Sequence, residues 1–127
     1  MGKLLFGDLT DMIIGAAFNV HNTLGPNLSE SVYKNALVIQ LRLMGLLVET
    51  EEEVPLKFAN VEVGIQRVDV LVEKKILVET KAIHKIRPDH PRKLLGTLKN
   101  TGYQLGLVVN FGRSVHVKRV INTTQNK

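Results

Sequence analysis

Two β-branched runs separated by three residues constrain this chain more than anything else in it. Residues 63–72 read VGIQRVDVLV, residues 76–83 read ILVETKAI, and Glu73-Lys74-Lys75 lies between them. Strand formers on both sides of so short a polar spacer predict an antiparallel hairpin. Alternation places Val68, Val70, Ile76 and Val78 on one face and Ile65, Leu71, Leu77 and Ile83 on the other. A hairpin apolar on both faces needs cover on both, so it belongs in a sheet with helices on each side.

The flanking sequence supplies those helices. Ile13, Ala16, Ala17, Val20 and Leu24 recur at helical spacing over residues 10–24, with Thr10 as the expected N-cap and Gly25-Pro26 as the stop. A second helix is expected from about Glu30 to Met44. Ser29 would cap it, Val32, Tyr33, Ala36, Leu37, Leu41 and Met44 would form its apolar stripe, and Gly45 would end it. Leu47-Val48 and Val54-Pro55-Leu56 open a β region whose limits are blurred by the acidic run Glu49 to Glu53. A helix from about Pro88 to Thr101, a strand Leu105 to Val109 and a strand Val115 to Ile121 follow, before a polar tail over 122–127. The expected order is α-α-β-β-β-α-β-β. A helical crossover joins parallel neighbours, so the sheet should be mixed. With no repeat or linker, residues 1–127 read as one domain with its core over about 5–120.

Composition excludes several functions. The absence of cysteine rules out disulfides, thiolate catalysis and Cys-based zinc sites. No apolar run approaches the roughly eighteen residues that span a bilayer, and MGKLLFGDLTDM does not read as a signal peptide. The expectation is a cytoplasmic protein with no membrane partner. Charge is uneven: residues 1–80 hold 7 Lys+Arg against 11 Asp+Glu, whereas residues 81–127 hold 10 against the single acid Asp89. The basic second part favours a polyanionic partner, or else serves solubility alone.

Candidate chemistry sits on the central hairpin. With a loop of residues 73–75, Asp69 lies opposite Glu79, their β-carbons roughly 5 Å apart. Lys81 follows on the same face, with Arg67 across from it. A two-residue loop would instead set Thr80 opposite Asp69. Two facing carboxylates repel, and two remedies are open. One is diagonal salt bridging, Asp69 with Lys81 and Glu79 with Arg67. The other is a divalent cation, since Mg²⁺ needs only one or two carboxylates from the protein.

The run V-D-V-L-V-E-K-K-I-L-V-E-T-K-A resembles motifs II and III of the PD-(D/E)xK nuclease superfamily. IIGAAFNVHNTLGPNLSESVY, with the LRLMGL helix end after it, resembles the small family of GxxExxY proteins. The likeness runs from about Leu5 to Val120. It implies a restriction-endonuclease-like fold, three layers α/β/α around a mixed sheet with an αβββαβ core. It implies a nuclease that hydrolyses nucleic-acid phosphodiesters with Mg²⁺ or Mn²⁺, on DNA ahead of RNA, and expected to form a homodimer. Carried over by position, Asp69 and Glu79 hold the metal with the Thr80 carbonyl, and Lys81 acts on the water. Glu30 assists from the second helix, with His21 and Tyr33 supporting it from behind. Three positions depart from the family pattern: Asn27 replaces a glycine, Lys93 a glutamine and Thr97 an aromatic. Asn tolerates the left-handed turn that glycine supplies.

Beside that reading stand plainer ones. Glu30 in a first turn favours the helix dipole whatever else it does. Tyr33 reads as core, His21 as helix-end packing, and His84, His90 and His116 have no ligand-like spacing. Lys85, Arg87, Arg92, Lys93 and Lys99 form either a solvated helix face or a phosphate-contacting set. The rival function is a catalytically inactive nucleic-acid-binding module on the same fold, in which Lys93 competes with the metal. A third is a scaffold with cross-strand salt bridges only.

Overall fold

The computed structural model describes residues 5–123, and within them the elements follow the expected order. They are α1 (Gly7–Leu24), α2 (Glu30–Leu43), β1 (Val48–Phe58), β2 (Val61–Val72), β3 (Ile76–Lys81), α3 (Asp89–Thr101), β4 (Leu105–Phe111) and β5 (Val115–Ile121). The strands lie in sequence order across one sheet. β3 and β4 are parallel, joined by α3, and the other neighbours are antiparallel. The mixed sheet and its restriction-endonuclease-like α/β/α layering are as the sequence implied. No described helix is long and apolar enough to cross a membrane.

The layers follow from which side chains each helix buries. Ile13 and Ala17 of α1 and Tyr33, Leu37 and Leu41 of α2 pack with Val70, Val72, Ile76, Val78, Leu107 and Val109 on one face of the sheet. Leu94 and Leu98 of α3 pack with Val68, Leu71, Leu77 and Val108 on the other. Every residue of β4 is buried, because that strand is covered from both sides. Val68 corrects the simple alternation, since it joins Leu71 rather than Val70. At the same level of the sheet Glu51 of β1 takes a left-handed φ of 54°, and the β1–β2 pairing runs from Thr50–Val70 to Glu52–Val68 without pairing Glu51 to Asp69.

Helix and hairpin ends differ from expectation in instructive ways. Thr10 is not a cap: the helix begins earlier, Phe6 occupies the cap position at φ 53°, and the Thr10 hydroxyl donates to Gly7 O at 2.8 Å. Ser29 does stand at the cap of α2, but its hydroxyl meets that of Ser31 at 3.2 Å and caps no backbone N–H. Gly25 (φ 79°) and Gly45 (φ 86°) sit just past the two helices in conformations that suit glycine. The β2–β3 turn places Glu73 and Lys74 at positive φ and closes with Lys75 N–H donating to Val72 O at 3.0 Å. Positive φ at both central residues matches the twist of the strands they join.

The expected polar tail also needs correction at its start. Asn122 is buried; its backbone N–H donates to Gln104 O at 2.8 Å, and its Nδ2 reaches Leu98 O and Tyr103 O. It ties β5 to the end of α3, and residues 124–127 of the expected tail lie outside the described residues.

Burial orders the consequences of substitution. Leu107 is wholly buried on β4, so Leu107→Ala should cost about 2–5 kcal/mol. Ile39 is 61% exposed on α2, and Ile39→Ala should change stability by no more than about 0.5 kcal/mol. Urea unfolding of the two variants checks the ranking, and equal losses would contradict this placement of the core.

Candidate active site

The β2–β3 ladder pairs Val70 with Val78, Leu71 with Leu77 and Val72 with Ile76, so the loop is residues 73–75. The same register makes Asp69 and Glu79 the next residues along. There the ladder ends. β3 continues beside β4 through Glu79–Val108, Thr80–Val109 and Lys81–Asn110, while β2 follows β1. The parted strands leave a cleft of about 190 Å³. Asp69, Glu79 and Lys81 line it from the sheet, Gln66 and Arg67 from farther down β2, and His90, Lys93 and Thr97 from α3.

Electrostatics in the cleft reflect crowding of like charge. The Glu79 carboxyl is raised above the usual range, chiefly by burial and next by the neighbouring Asp69 charge. Glu30 raises it further, whereas Lys81 and Lys34 pull it down. Lys34 of α2 stands 3.9 Å from Asp69 Oδ1 and 3.5 Å from Glu51 Oε2. Arg67 pairs with Glu53 at 3.2 Å. The diagonal salt-bridge ladder is therefore not what forms: Asp69 finds its cation on a helix, and Arg67 turns to β1.

Glu30 opens α2, exposed to solvent and near enough to Glu79 to act on its charge. Tyr33 and His21 set the approach to it. The Tyr33 hydroxyl donates to Gly25 O and accepts from Leu28 N–H at 3.2 Å, which pins the turn before Glu30. Its ring stacks on Phe111 with centroids 4.7 Å apart. His21 Nε2 lies 2.9 Å from Gly112 O, and its ring stacks beside Tyr33. Asn27 takes φ 72°, the left-handed turn anticipated for it. Neither Tyr33 nor His21 is among the residues that line the cleft.

The sequence reading gave His90, Gln66 and Lys34 no part. His90 is buried, and its Nδ1 accepts from Arg87 N–H at 3.1 Å, which leaves Nε2 to carry the ring proton. Gln66 Nε2 donates to Thr97 Oγ1 at 3.0 Å and so bridges β2 to α3 across the cleft. Two of the three had a signal. Lys34 follows Glu30 by four residues, and His90 precedes Lys93 by three and Thr97 by seven, so each shares a helix face with a residue already singled out.

The five basic residues are divided between two hollows and the end of α3, with Lys85 and Arg87 bordering the same cavity. Lys93 lines the cleft and Lys85 a neighbouring cavity. Arg87 pairs with Asp89 at 3.2 Å, and Arg92 Nε donates to Pro88 O. Lys99 is exposed in the last turn of α3, roughly 9 Å along the helix from Lys93.

Among the described residues no group of three or more His, Asp or Glu could by itself hold a metal ion. The donor set nonetheless suits one kind of ion. Asp69 and Glu79 are hard oxygen donors whose mutual repulsion a divalent cation would relieve, and Mg²⁺ or Mn²⁺ asks for no more than one or two carboxylates. Beyond Val78, β3 makes no ladder pair with β2 and continues beside β4 alone through Glu79, Thr80 and Lys81. Thr80 has its side chain wholly buried and its hydroxyl unpartnered.

Comparison with known proteins agrees with this geometry. A family model described as the PD-(D/E)XK nuclease superfamily matches residues 7–121. No curated protein matches the chain. Among solved structures, that of SSO0001 superposes with a TM-score of 0.55 at 18% identity, over 94% of this chain and 60% of that one. The chain thus spans less than two thirds of that relative's length. An alkaline exonuclease, LHK-Exo from Laribacter hongkongensis, gives 0.48 at 14% identity, over 89% of this chain and 82% of that one. LHK-Exo in complex with dAMP gives 0.47 at 15%, with the same coverage. The first of these likenesses bears on the fold.

The raised Glu79 carboxyl has a thermodynamic signature. A carboxyl that binds its proton more tightly in the folded state adds stability below its unfolded value, and that increment is lost as pH rises through the folded value. Glu79→Gln should therefore stabilise the metal-free protein at neutral pH, with the advantage shrinking on acidification towards the ordinary carboxylate range. Melting temperatures of both proteins in EDTA across pH 4 to 8 (~ranges set by the carboxylate values) check the sign. A variant less stable than wild type at neutral pH would contradict it.

Proposed function

The chain belongs to the PD-(D/E)XK nuclease superfamily, and from that premise we propose that it hydrolyses phosphodiester bonds of nucleic acid in a reaction dependent on Mg²⁺ or Mn²⁺. The observation that carries this reading is the convergence of Asp69, Glu79 and Lys81 on one cleft at the point where β2 and β3 part. Within the superfamily we read the chain as a GxxExxY protein, on Glu30 and Tyr33 and the turn that Tyr33 pins.

In this mechanism Asp69 and Glu79 would hold the cation, together with the Thr80 carbonyl. The cation supplies Lewis-acid charge to the scissile phosphate. Lys81 holds its ammonium where charge develops on the phosphate and orients the attacking water. Glu30, at the start of α2, assists from beside Glu79 and can accept a proton. Lys93 supports a second reading, a binding module without turnover, because it brings a further cation into the cleft. DNA is the substrate we favour over RNA.

Cleavage of plasmid and of single-stranded DNA, with Mg²⁺, Mn²⁺ and EDTA side by side, tests the proposal. Turnover with either cation and none in EDTA is the expected result. Binding without cleavage under every condition would favour the inactive module. Lys81→Ala should lower turnover by about a hundredfold or more while the Mn²⁺-induced rise in melting temperature persists, because the lysine is not a ligand. Lys81→Arg should rescue only in part, since a planar fork replaces a compact ammonium poorly.

Asp69 separates ligand from structural ion pair. Asp69→Asn removes an attraction to Lys34 and a repulsion from Glu79, opposed changes that should leave the metal-free melting temperature nearly unaltered. The Mn²⁺-induced shift, which arises by mass action on the native state, should vanish. A wild-type protein indifferent to Mn²⁺, beside a markedly destabilised variant, would overturn the metal site.

A further inference from the structure

A second cavity of about 750 Å³ adjoins the cleft. His90 lines the cleft and Pro91 the cavity, so the first turn of α3 divides them. Lys81 in the cleft is the register partner of Asn110 in the cavity, one strand spacing away, roughly 5 Å.

Its walls are held by hydrogen bonds at both ends of the loop that forms them. Ile83 N–H donates to Asn110 Oδ1 and Asn110 Nδ2 donates to Ile83 O, both at 3.0 Å, so the amide serves the loop as a strand neighbour would. At the far end Arg87 N–H donates to His90 Nδ1 at 3.1 Å, and His90 N–H donates back to Arg87 O at 3.0 Å. At Gly112 a β-carbon would lie 2.9 Å from Ile83 O, so the loop rests directly on backbone there. The cavity is built before anything enters it.

Its chemistry has two parts. Ile86, Pro88 and Pro91 give apolar wall, while Lys85 of the loop after β3 and Lys118 of β5 border it at exposed positions. Among the described residues no carboxylate lines it. Arg87 also borders it, but Asp89 already takes up that charge. Apolar walls under a cationic rim suit a ligand with a flat, weakly polar body and an anionic end. Stacked base pairs hide that body and expose only phosphate; an unpaired nucleotide presents both.

We infer that this cavity receives one unpaired nucleotide of the substrate strand beside the cleft, with its base against Ile86, Pro88 and Pro91 and its phosphate at the lysines of the rim, Lys85 and Lys118. The chain therefore selects single strands or frayed ends over closed duplex. The inference rests on the nuclease reading only for what happens next door, because nucleotide capture itself needs no hydrolysis.

The test is fluorescence anisotropy of the whole protein in EDTA, with a labelled single-stranded oligonucleotide and the same sequence as a blunt duplex. Wild type should bind the single strand at least about tenfold more tightly. Lys118→Glu reverses an exposed rim charge. Pro91→Asp puts a carboxylate on the apolar wall at a first-turn position where the helix accepts one. Each should lower single-strand affinity about tenfold, leave duplex affinity within about twofold, and leave the melting temperature unchanged. Equal losses for both ligands would reduce the cavity to part of a general phosphate surface and overturn the inference. So would unaltered single-strand binding in both variants, or complete displacement of the oligonucleotide by inorganic phosphate alone. A protein that binds single strands through Lys118 yet cuts nothing with Mg²⁺ or Mn²⁺ keeps this inference and loses the nuclease reading. One that cuts while both variants bind as wild type does the reverse.

Discussion

Three cross-strand pairs, Val70–Val78, Leu71–Leu77 and Val72–Ile76, hold β2 to β3, and past them the strands separate. The apolar pairs are buried between helical layers, where an unpaired charge would be very costly. The first residues beyond them, Asp69 and Glu79, meet a different condition. With β2 drawn off alongside β1, the sheet opens, and helices from both faces reach the gap. Lys34 of α2 pairs with Asp69 from one side, while His90 and Lys93 of α3 line the cleft from the other. An intact ladder through these positions would have kept the layers apart. The site depends on where hydrogen bonding between two strands stops.

That position creates an electrostatic debt which the fold settles only in part. Glu79 is half-buried beside Asp69 with Glu30 nearby, so two carboxylates act on the charge of a third. Lys34 and Lys81 offset them, but Lys34 is shared with Glu51 and sits at the limit of ion-pair distance from Asp69. A loose cation on a flexible stem costs little to displace, unlike a bidentate arginine. The nearest arginine, Arg67, is directed to Glu53 and leaves the carboxylates open. Such a pair leaves room for the small, hard cation that the proposed mechanism calls for.

The hairpin and its register were legible because three residues separate two strands, and a spacer that short leaves few registers to choose from. The order of elements was legible from periodicity, and the carboxylate pair from register. What escaped involves contacts between distant segments. The alternation of β2 breaks at Val68, beside a left-handed residue on β1, and nothing in β2 announces it. Asn122 reads as the start of a polar tail, yet its partners are carbonyls near the end of α3. Thr10 looks like a cap, but the helix draws three further residues from a stretch without a capping side chain. His90 drew attention only as a possible ligand among other histidines, whereas its place follows from the helix face it shares with Lys93.

The uneven charge of the chain takes on meaning once its pairs are known. Within the acidic first part, Glu49 pairs with Lys74, Glu51 with Lys34 and Glu53 with Arg67. These pairs steady the acids along β1, an edge strand whose charges also discourage pairing with other chains, but because both partners belong to this part its acidic excess is unchanged. The second part has a single acid, Asp89, and Arg87 takes it. Lys85, Lys93 and Lys118 have no other carboxylate in their own segment, and they line the cleft and the cavity beside it. On the proposed function, the acids of β1 and the lysines beside α3 and β5 would steer a polyanion away from the first and towards the second. The direction of attraction leads to the two hollows on either side of the first turn of α3.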